Sequence, residues 1–467
     1  MVATITVEDF GPFEHAKVEL RPLTVFIGKN SSGKSTLMRL AWALTWPPIP
    51  FIILSILPTL ITVVSEREKN VIDGIINDVG RGLKPSWDDV RAVVKSLVED
   101  LRESIRIYLR DRIKGVFGME LDELVRIGAK SARVNVANQY ELTISIEGND
   151  LRLERLSVID DVLNNELVIT VPRPGTLGLG YDEFYVERSL ITYNDFTALI
   201  VETLRYSLES KYGSLPPLTV FLPDSKAGIL RQAERPLYRS LLPSFIRYYW
   251  ATSDVELVIY TLHSLIGLIN DPKMLESALN IAKDLLNELG CELVLKPEDA
   301  HMVYVRTWTG RELPLYQAPS GMRESAMITL SLASPLGTVF IEEPESHLHP
   351  KAIKSMARLM ARAINRGKTI IVSTHSDYLI SALSNLIAAS RIRGGARKLG
   401  IDESETIDPD KVSVYLVRRG EDGKALVNRL EVTDAGILED ELTRVAEELL
   451  DEQAGILDEL QKRGRNK

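Results

Sequence analysis

GKNSSGKST, from Gly28 to Thr36, is the stretch of sequence that decides the fold. It matches the pattern G-x-x-x-x-G-K-[ST] and follows the short apolar run Leu23–Ile27, which is typical of a buried strand. Glycines let the backbone curl so that successive N–H groups point at phosphate oxygens, and the following helix N-terminus adds partial positive charge. The sequence therefore predicts a phosphate-binding loop formed by Gly28, Lys29, Asn30, Ser31, Ser32, Gly33, Lys34, Ser35 and Thr36.

Two side chains of this loop carry the predicted chemistry. We expect Lys34 to place its ammonium at the β- and γ-phosphates and Ser35 to ligate Mg²⁺ through its hydroxyl. The predicted cofactors are therefore ATP and Mg²⁺. The sequence has no N-K-x-D motif for reading guanine, which argues against a GTPase.

Paired acids follow a second apolar run. Glu342 and Glu343 come directly after Thr338–Ile341, at the carboxyl end of a predicted strand, where the active sites of such sheets lie. We expect Glu342 to hold Mg²⁺ through a water molecule and Glu343 to orient or activate the attacking water.

Histidines occur near both strand ends. His375 ends the apolar run Thr369–Thr374, where it can hydrogen-bond a γ-phosphate or the attacking water. His347 and His349 are two residues apart in a predicted loop before a helix that begins at Pro350, and a metal role for them is the weaker hypothesis.

A second candidate phosphate site lies in the segment APSGMRE, from Ala318 to Glu324. Ser320 and Gly321 precede a predicted helix, Ser325–Ala333, whose N-terminus can bind phosphate. One chain has one γ-phosphate to bind, so this site makes sense if it serves the nucleotide of a second chain.

The order of these motifs resembles the ABC-type ATPase group that contains SMC, RecF and the OLD-family ATPases. GKNSSGKST, APSGMRE, VFIEEPESHLHP and IIVSTHS follow one another as the motifs of that group do, and EEPESHLHP is most similar to the OLD-like ATPases. The resemblance covers roughly residues 1–60 and 300–430. It makes the four motifs the Walker A loop, the signature at Ser320-Gly321, Walker B at Glu342-Glu343 and the switch histidine at His375.

The resemblance implies an α/β fold of the ABC/SMC head type, with a mixed sheet and a helical insertion. It also implies an ATP-dependent homodimer in which Lys34, Ser35, Glu342 and Glu343 of one head act with Ser320 and Gly321 of the other. Hydrolysis would loosen this dimer by removing the γ-phosphate that both halves hold.

Three departures from the group pattern stand out. Glu342 replaces the aspartate of most Walker B motifs, and the signature is not L-S-G-G-Q. The glutamine of the Q-loop is left open between Gln139 and Gln232. We find no D-x-D in a strand-end context after His375, and we therefore expect a stand-alone head without a TOPRIM nuclease domain.

Six parts are predicted along the chain. They are an N-terminal part of the head at 1–65, a helical insertion at 66–130, a β-rich lobe at 131–222, a helical arm at 223–300, the C-terminal part of the head at 301–435 and an amphipathic C-terminal helix at 436–467.

Composition narrows the classes of partner and location. The chain has 467 residues, 45% hydrophobic and 26% charged, with a net charge of −9, so nucleic-acid binding would need a local basic patch. Its single cysteine, Cys291, excludes an internal disulfide and multi-cysteine zinc sites. With no basic and apolar leader at the N-terminus, we expect a cytoplasmic location.

The segment Leu40–Val64 is uncharged and strongly apolar, but Pro47, Pro48, Pro50 and Pro58 interrupt it. Prolines break a spanning helix, so we interpret the segment as buried or interface structure and consider a membrane partner disfavoured.

Three functions remain in competition. The first is an ATPase switch that acts on nucleic acid or an effector protein in DNA repair, maintenance or defence. The second is the nucleotide-binding subunit of a membrane transporter, and the third is a slow ATP-dependent scaffold that regulates a separate toxin or nuclease. Nucleic-acid contact would use basic clusters, for each of which a solvated surface is the simpler interpretation: Lys354, Arg358, Arg362 and Arg366; Arg391, Arg393, Arg397 and Lys398; Arg463, Arg465 and Lys467.

Overall fold

The computed structural model describes residues 3–46, 48–62, 66–164, 168–181, 184–213, 219–224, 226–232, 279–296, 302–334, 337–392, 396–438 and 448–457. They form two compact units. Unit 1 comprises Met1–Ala3, Pro12–Arg39 and Leu218–Lys467, and unit 2 comprises Thr4–Gly11 and Leu40–Pro217. The six-part division remains a prediction.

The described strands are β1 (Ala3–Phe10), β2 (Phe13–Leu20), β3 (Leu23–Ile27), β4 (Ser131–Ala137), β5 (Glu141–Glu147), β6 (Asp150–Leu156), β7 (Val168–Arg173), β8 (Thr176–Tyr181), β9 (Phe184–Ser189), β10 (Thr219–Leu222), β11 (Cys291–Lys296), β12 (Met302–Thr307), β13 (Glu312–Pro314), β14 (Thr338–Glu342), β15 (Thr369–Thr374), β16 (Val412–Arg419), β17 (Ala425–Leu430), β18 (Val432–Thr433) and β19 (Gly436–Ile437).

The described helices are α1 (Lys34–Thr45), α2 (Ile49–Ile56), α3 (Glu66–Gly80), α4 (Trp87–Phe117), α5 (Ser157–Asn164), α6 (Tyr193–Tyr212), α7 (Lys226–Gln232), α8 (Lys283–Glu288), α9 (Ser320–Ala333), α10 (Pro350–Asn365) and α11 (Asp377–Ala389). Residues 448–457 are also helical. Short 3-10 turns lie at Leu57–Thr62, Asp122–Leu124, Asn280–Ala282, Leu315–Gln317, Ala396–Leu399, Glu403–Glu405 and Pro409–Lys411.

Unit 1 is built on a mixed sheet. Within it, strands hydrogen-bond in the order β10-β14-β15-β3-β16-β17-β2. The pairs β10/β14, β14/β15, β15/β3 and β3/β16 are parallel, whereas β16/β17 is antiparallel. The central strands are continuous apolar runs, which suits a sheet buried on both faces. This confirms the predicted α/β fold with a mixed sheet.

Helix α10 shows how local sequence fixes one element of this unit. His349 caps its N-terminus by accepting a hydrogen bond from the backbone N–H of Lys351, and Pro350 occupies the first turn. Gly367, at φ +89°, follows its C-terminus. Its buried face includes Ile353, Met356, Met360 and Ile364, which recur at helical spacing.

Unit 2 contains the antiparallel strands β1, β4, β5 and β6, the antiparallel strands β7, β8 and β9, and most of the described helices of the N-terminal half. Helices α3 and α4 lie within the predicted helical insertion at 66–130. The 31-residue helix α4 begins at the cap Ser86 and ends at Gly118 in the left-handed conformation.

The apolar segment of unit 2 forms the end of α1, helix α2 and a 3-10 turn. Ile49, Ile52, Ile53 and Leu57 are buried, as the interpretation of this segment as buried structure predicted. Among the described residues, no single helix is long and apolar enough to span a membrane, although α1 and Ile49–Thr59 pass that test as a pair bent by 44°.

The predicted C-terminal helix is described only in part. Gly436–Ile437 pairs with β18 as a strand, and 448–457 is helical. The rest of the predicted helix, and residues 233–278 of the predicted helical arm, lie outside the described residues.

A core substitution tests the packing of the unit 1 sheet. Phe340 of β14 is buried and stacks on Phe221 of β10, with ring centroids 6.0 Å apart. We expect Phe340→Ala to lower the free energy of unfolding by about 3–5 kcal/mol, because it removes a large buried side chain and leaves a cavity. Denaturant unfolding followed by circular dichroism measures this change.

The matched control is Trp308→Ala, since that aromatic side chain is 82% exposed. It should change the unfolding free energy by about 0.5 kcal/mol or less. Equal effects of the two substitutions would contradict the described packing.

Candidate functional site

Parallel pairing brings three strand ends to one side of the unit 1 sheet. In the register of β15 and β3, Thr374 lies opposite Ile27, and in that of β14 and β15, Glu342 lies opposite Ser373. The residues that follow these strands, Gly28, Glu343 and His375, therefore leave the sheet at nearly the same level. The backbone N–H of Glu343 also donates to the Ser373 carbonyl at 2.9 Å.

Two glycines shape the loop after β3. Gly28 has φ +142°, and a Cβ there would lie 2.1 Å from the carbonyl oxygen of Val417. Gly33 has φ +108°, and a Cβ there would lie 2.6 Å from the ring of Phe13. Any side chain at either position would force the backbone to shift, so the loop needs glycine for both its conformation and its packing.

Arg419, at the end of β16, fixes the outer part of the loop. Its guanidinium donates to the carbonyl oxygens of Ser31, at 3.1 Å, and Asn30, at 2.9 Å. Lys29, Asn30 and Ser31 are exposed. Arg419 thus fixes the backbone of the loop while these three residues stay exposed. The sequence motifs gave no indication of this role of Arg419.

Lys34 is buried at the start of α1. Its ammonium donates to the carbonyl oxygens of Gly28, at 2.7 Å, and Lys29, at 2.9 Å. Burial lowers the pKa of Lys34 below its ordinary value, while the carboxylates of Glu343 and Glu345 act in the opposite direction. The lysine is therefore enclosed by the loop and lies in the field of the acids that follow β14.

Glu342 is 2% exposed and its Oε1 has no hydrogen-bond partner among the described residues. Its Oε2 accepts from the backbone N–H of Asp224 at 3.3 Å and lies 3.5 Å from Arg39 Nη2. Burial raises the pKa of Glu342, and Arg39 and the Ser35 side chain oppose this rise. The sequence-predicted pair Ser35 and Glu342 is thus brought together, with one buried oxygen left for a further ligand.

Glu343 and His375 face each other. His375 Nδ1 is 3.2 Å from Glu343 Oε1, and both side chains are partly exposed. Glu343 has φ +44°, a conformation that few residues other than glycine adopt, so the backbone is strained where the carboxylate turns towards the histidine. The structure therefore brings the two predicted catalytic side chains into contact.

Glu345 fixes the backbone at His375 through buried hydrogen bonds. Its buried Oε1 accepts hydrogen bonds from the Thr374 hydroxyl and, at 3.1 Å, from the backbone N–H of His375. The sequence pattern contained Glu345 but gave it no role. Its position two residues beyond the paired acids was the available signal.

Ser320 and Gly321 form the first turn of α9, which begins five residues before the predicted helix start at Ser325. A Cβ on Gly321 would lie 2.7 Å from the carbonyl oxygen of His347, so only glycine allows this close approach. Both residues are partly exposed. The helix N-terminus is thus packed against the segment that follows the paired acids.

Other predicted candidates have structural roles or lie elsewhere. Gln139 is exposed in the turn between β4 and β5 of unit 2, and Gln232 ends α7. His349 caps α10. Groups of three or more side chains suited to a metal are absent from the described part of the chain.

Two of the basic residues on α10, Arg358 and Arg362, make contacts within the protein. Arg358 donates to the Gly400 carbonyl at 2.9 Å and lies 3.5 Å from Glu405. Arg362 donates to the Ile281 carbonyl at 2.7 Å and pairs with Asp284 and Glu405. Arg391 pairs with Asp434 at 2.7 Å and Arg397 lies 3.8 Å from Asp402, whereas Arg393, Arg463, Arg465 and Lys467 lie outside the described residues.

The burial of Glu342 predicts a pH-dependent stability effect. Because burial raises its pKa above the ordinary value of 4.5, Glu342 favours folding at low pH, and this contribution is lost as pH rises through the raised value. Glu342→Gln should therefore raise the unfolding free energy at about pH 8, and the gain should vanish below the ordinary pKa. Denaturant unfolding across this range measures it.

Glu343→Gln is the matched control, because its carboxylate is 29% exposed. It should change the unfolding free energy less than Glu342→Gln does. A Glu342→Gln effect that is independent of pH, or a loss of stability at about pH 8, would contradict the burial described for Glu342.

Sequence comparison gives two family models and one curated relative. The model described as "AAA domain, putative AbiEii toxin, Type IV TA system" matches residues 194–381, and the model described as "AAA ATPase domain" matches residues 1–48. The energy-coupling factor transporter ATP-binding protein EcfA of Carboxydothermus hydrogenoformans is 32% identical over 101 residues. This match spans 20% of the present chain and 37% of that relative.

Solved structures with some similarity are heads of SMC proteins. They include the SmcHead bound to the C-winged helix domain of ScpA (14% identity, 93% of this chain and 98% of that chain, TM-score 0.40) and the SMC head domain from Thermotoga maritima (12%, 92% and 99%, 0.36). A third is the Smc head domain with an extended coiled coil bound to the C-terminal domain of ScpA derived from Pyrococcus furiosus (14%, 98% and 99%, 0.37).

Each of the two family models matches a different part of the candidate site. The first 48 residues contain the loop from Gly28 to Thr36, and residues 194–381 contain Ser320, Glu342, Glu343 and His375. Together with the parallel strands that carry these residues, the two family matches support an ATPase domain with an α/β P-loop fold in this chain.

Proposed function

We propose that the chain binds and hydrolyses Mg-ATP, and that ATP closes two copies into a head-to-tail dimer that acts as a molecular switch. The observation that carries the proposal is the parallel register of β14, β15 and β3, which gathers the phosphate loop, the paired acids and His375 at one side of one sheet. We place its action in DNA repair, maintenance or defence, on nucleic acid or on an effector protein.

The residues present fit a nucleotide with Mg²⁺. The ammonium of Lys34 is held by two loop carbonyls and needs only to turn from them to reach phosphate oxygens. Ser35 and Glu342 are the proposed metal ligands, because Glu342 Oε1 is a buried oxygen without a hydrogen-bond partner among the described residues. When bound, Mg²⁺ would neutralise charge on the phosphate oxygens.

Hydrolysis is proposed to use Glu343 and His375. The carboxylate of Glu343 is partly exposed and can accept a proton from, or orient, the attacking water. His375, 3.2 Å from Glu343, orients that carboxylate and can donate to the γ-phosphate. Glu345 holds the His375 backbone in place, which keeps the imidazole beside Glu343.

Ser320 and Gly321 are proposed to complete the site of the partner. Their backbone N–H groups belong to the first turn of α9, where they have no acceptor within the helix, and the helix dipole favours an anion. A symmetric dimer with each chain supplying half of two sites satisfies this arrangement.

A transporter subunit is the second candidate. It is favoured by the 32% identity with the ATP-binding protein of a transporter and by the bent pair of apolar helices. The apolar side chains of α2 are already buried within unit 2, which disfavours it. If the protein sediments with the membrane fraction of its cells, the transporter function is favoured. If it stays in the supernatant, the switch is favoured.

ATP-driven assembly is the first test of the proposal. Glu343→Gln should bind nucleotide and hydrolyse it at least about a hundredfold more slowly, because it keeps shape but loses the base. Light scattering should then report a monomer without nucleotide and a dimer with Mg-ATP. The variant Lys34→Ala should stay monomeric, and an unchanged mass for Glu343→Gln with Mg-ATP would contradict the dimer.

Mixing two inactive variants tests the head-to-tail geometry. Glu343→Gln inactivates the site built on the phosphate loop of the same chain. Ser320→Arg inactivates the site built on the phosphate loop of the partner chain. A mixed dimer contains one intact site, so an equal mixture should recover about a quarter of the activity of the unmodified protein, whereas each variant alone stays inactive. Phosphate release measures this, and a mixture as inactive as its components would exclude shared sites.

A further inference from the structure

Lys226 is a fully buried lysine at the start of α7. Its ammonium lies 3.3 Å from Glu324 Oε2 and donates to the carbonyl oxygens of Glu342, at 3.1 Å, and Pro223, at 3.3 Å. The two carbonyl oxygens accept hydrogen bonds from the ammonium, and the Glu324 carboxylate forms an ion pair with its charge. A buried lysine satisfied in this way is held in one position, because losing any one contact would leave a charge poorly solvated.

The three partners of Lys226 belong to three different parts of the site. Glu342 is the buried acid at the end of β14, and Pro223 follows the neighbouring strand β10. Glu324 lies in α9 one helical turn after Ser320, and it is itself 2% exposed. Lys226 therefore touches the strand that carries the paired acids and the helix that carries the signature residues.

Glu324 gains a second contact on the other side. Its Oε1 lies 3.8 Å from His347 Nε2, and the His347 carbonyl is the group that Gly321 approaches too closely for any side chain. Burial raises the pKa of Glu324, and Lys226 opposes this rise. The Lys226 ammonium therefore favours the charged form of Glu324, a residue of α9.

We infer that Lys226 is a positioning residue that couples the strand ends at the nucleotide site to α9. Binding of Mg-ATP beside Glu342 then sets the placement of Ser320 and Gly321. This inference rests on the proposed function. A shift of the end of β14 on nucleotide binding would change the distance from the Glu342 carbonyl to Lys226. The same ammonium holds Glu324, so the first turn of α9 would move with it.

The test removes both charges at once. Lys226→Met with Glu324→Gln leaves no unpaired buried charge, so the double variant should fold. It should bind Mg-ATP within about threefold of the unmodified affinity, because the loop from Gly28 to Thr36 is intact. Its turnover should fall at least about tenfold, and Mg-ATP should no longer drive the dimer in a Glu343→Gln background.

Lys368→Met is the matched control. Lys368 is also buried, and it donates to the carbonyl of Ser334 at the opposite end of α9. Its loss should lower stability but leave turnover per folded molecule and ATP-driven assembly within about twofold of the unmodified protein.

The outcomes separate this inference from the proposed function. A double variant with unmodified turnover and assembly would overturn the coupling, and so would a loss of nucleotide affinity as large as that of Lys34→Ala, because Lys226 would then only support the loop. If the unmodified chain bound no Mg-ATP, the proposed function would fail, and the coupling with it. If the unmodified chain bound Mg-ATP without turnover, loss of Mg-ATP-driven assembly in the double variant would still support the coupling, and unchanged assembly would overturn it.

Discussion

The parallel hydrogen bonding of β15 between β14 and β3 is the constraint on which the site depends. A parallel sheet places the carboxyl ends of neighbouring strands on the same side, so each apolar run delivers its first polar residues to one place. A shift of one residue in either register would turn the paired acids or His375 towards the opposite face. The buried apolar side chains of these strands therefore fix the relative positions of the charged groups.

These charged groups are costly for the protein without nucleotide. Burial pushes the pKa of Lys34 down and that of Glu342 up, so both groups are held in surroundings that disfavour their charged forms. The positive φ of Glu343 adds backbone strain at the same place. A phosphate beside Lys34 and a divalent cation beside Glu342 would relieve these costs, which links nucleotide binding to stability. Lys226 and Glu324 extend this charged network from the strand ends to the start of α9.

Local patterns predicted much of unit 1. The run Leu23–Ile27, the glycine loop, the acids after Thr338–Ile341 and His375 all lie on the elements expected for them, because buried strands and loop glycines leave clear signals in sequence. The roles of Arg419, Glu345 and Lys226 did not follow from sequence. Arg419 is 388 residues from Ser31, and no local spacing indicates such a contact. Lys226 acts through acceptors on other elements, which only the sheet order brings together. No local pattern decides between Gln139 and Gln232 for the Q-loop glutamine. The contact of the Asp224 backbone N–H with Glu342 also depends on the sheet order and leaves no local signal in the sequence.

The most direct test of the account is phosphate release from Mg-ATP by the purified chain, measured beside calorimetric titration of Mg-ATP into the same preparation. The account predicts saturable binding and steady turnover, both of which require the loop lysine, since alanine at Lys34 should abolish them. Binding or turnover that survives Lys34→Ala would contradict the account, because the activity would then arise outside the phosphate loop or from a contaminating enzyme.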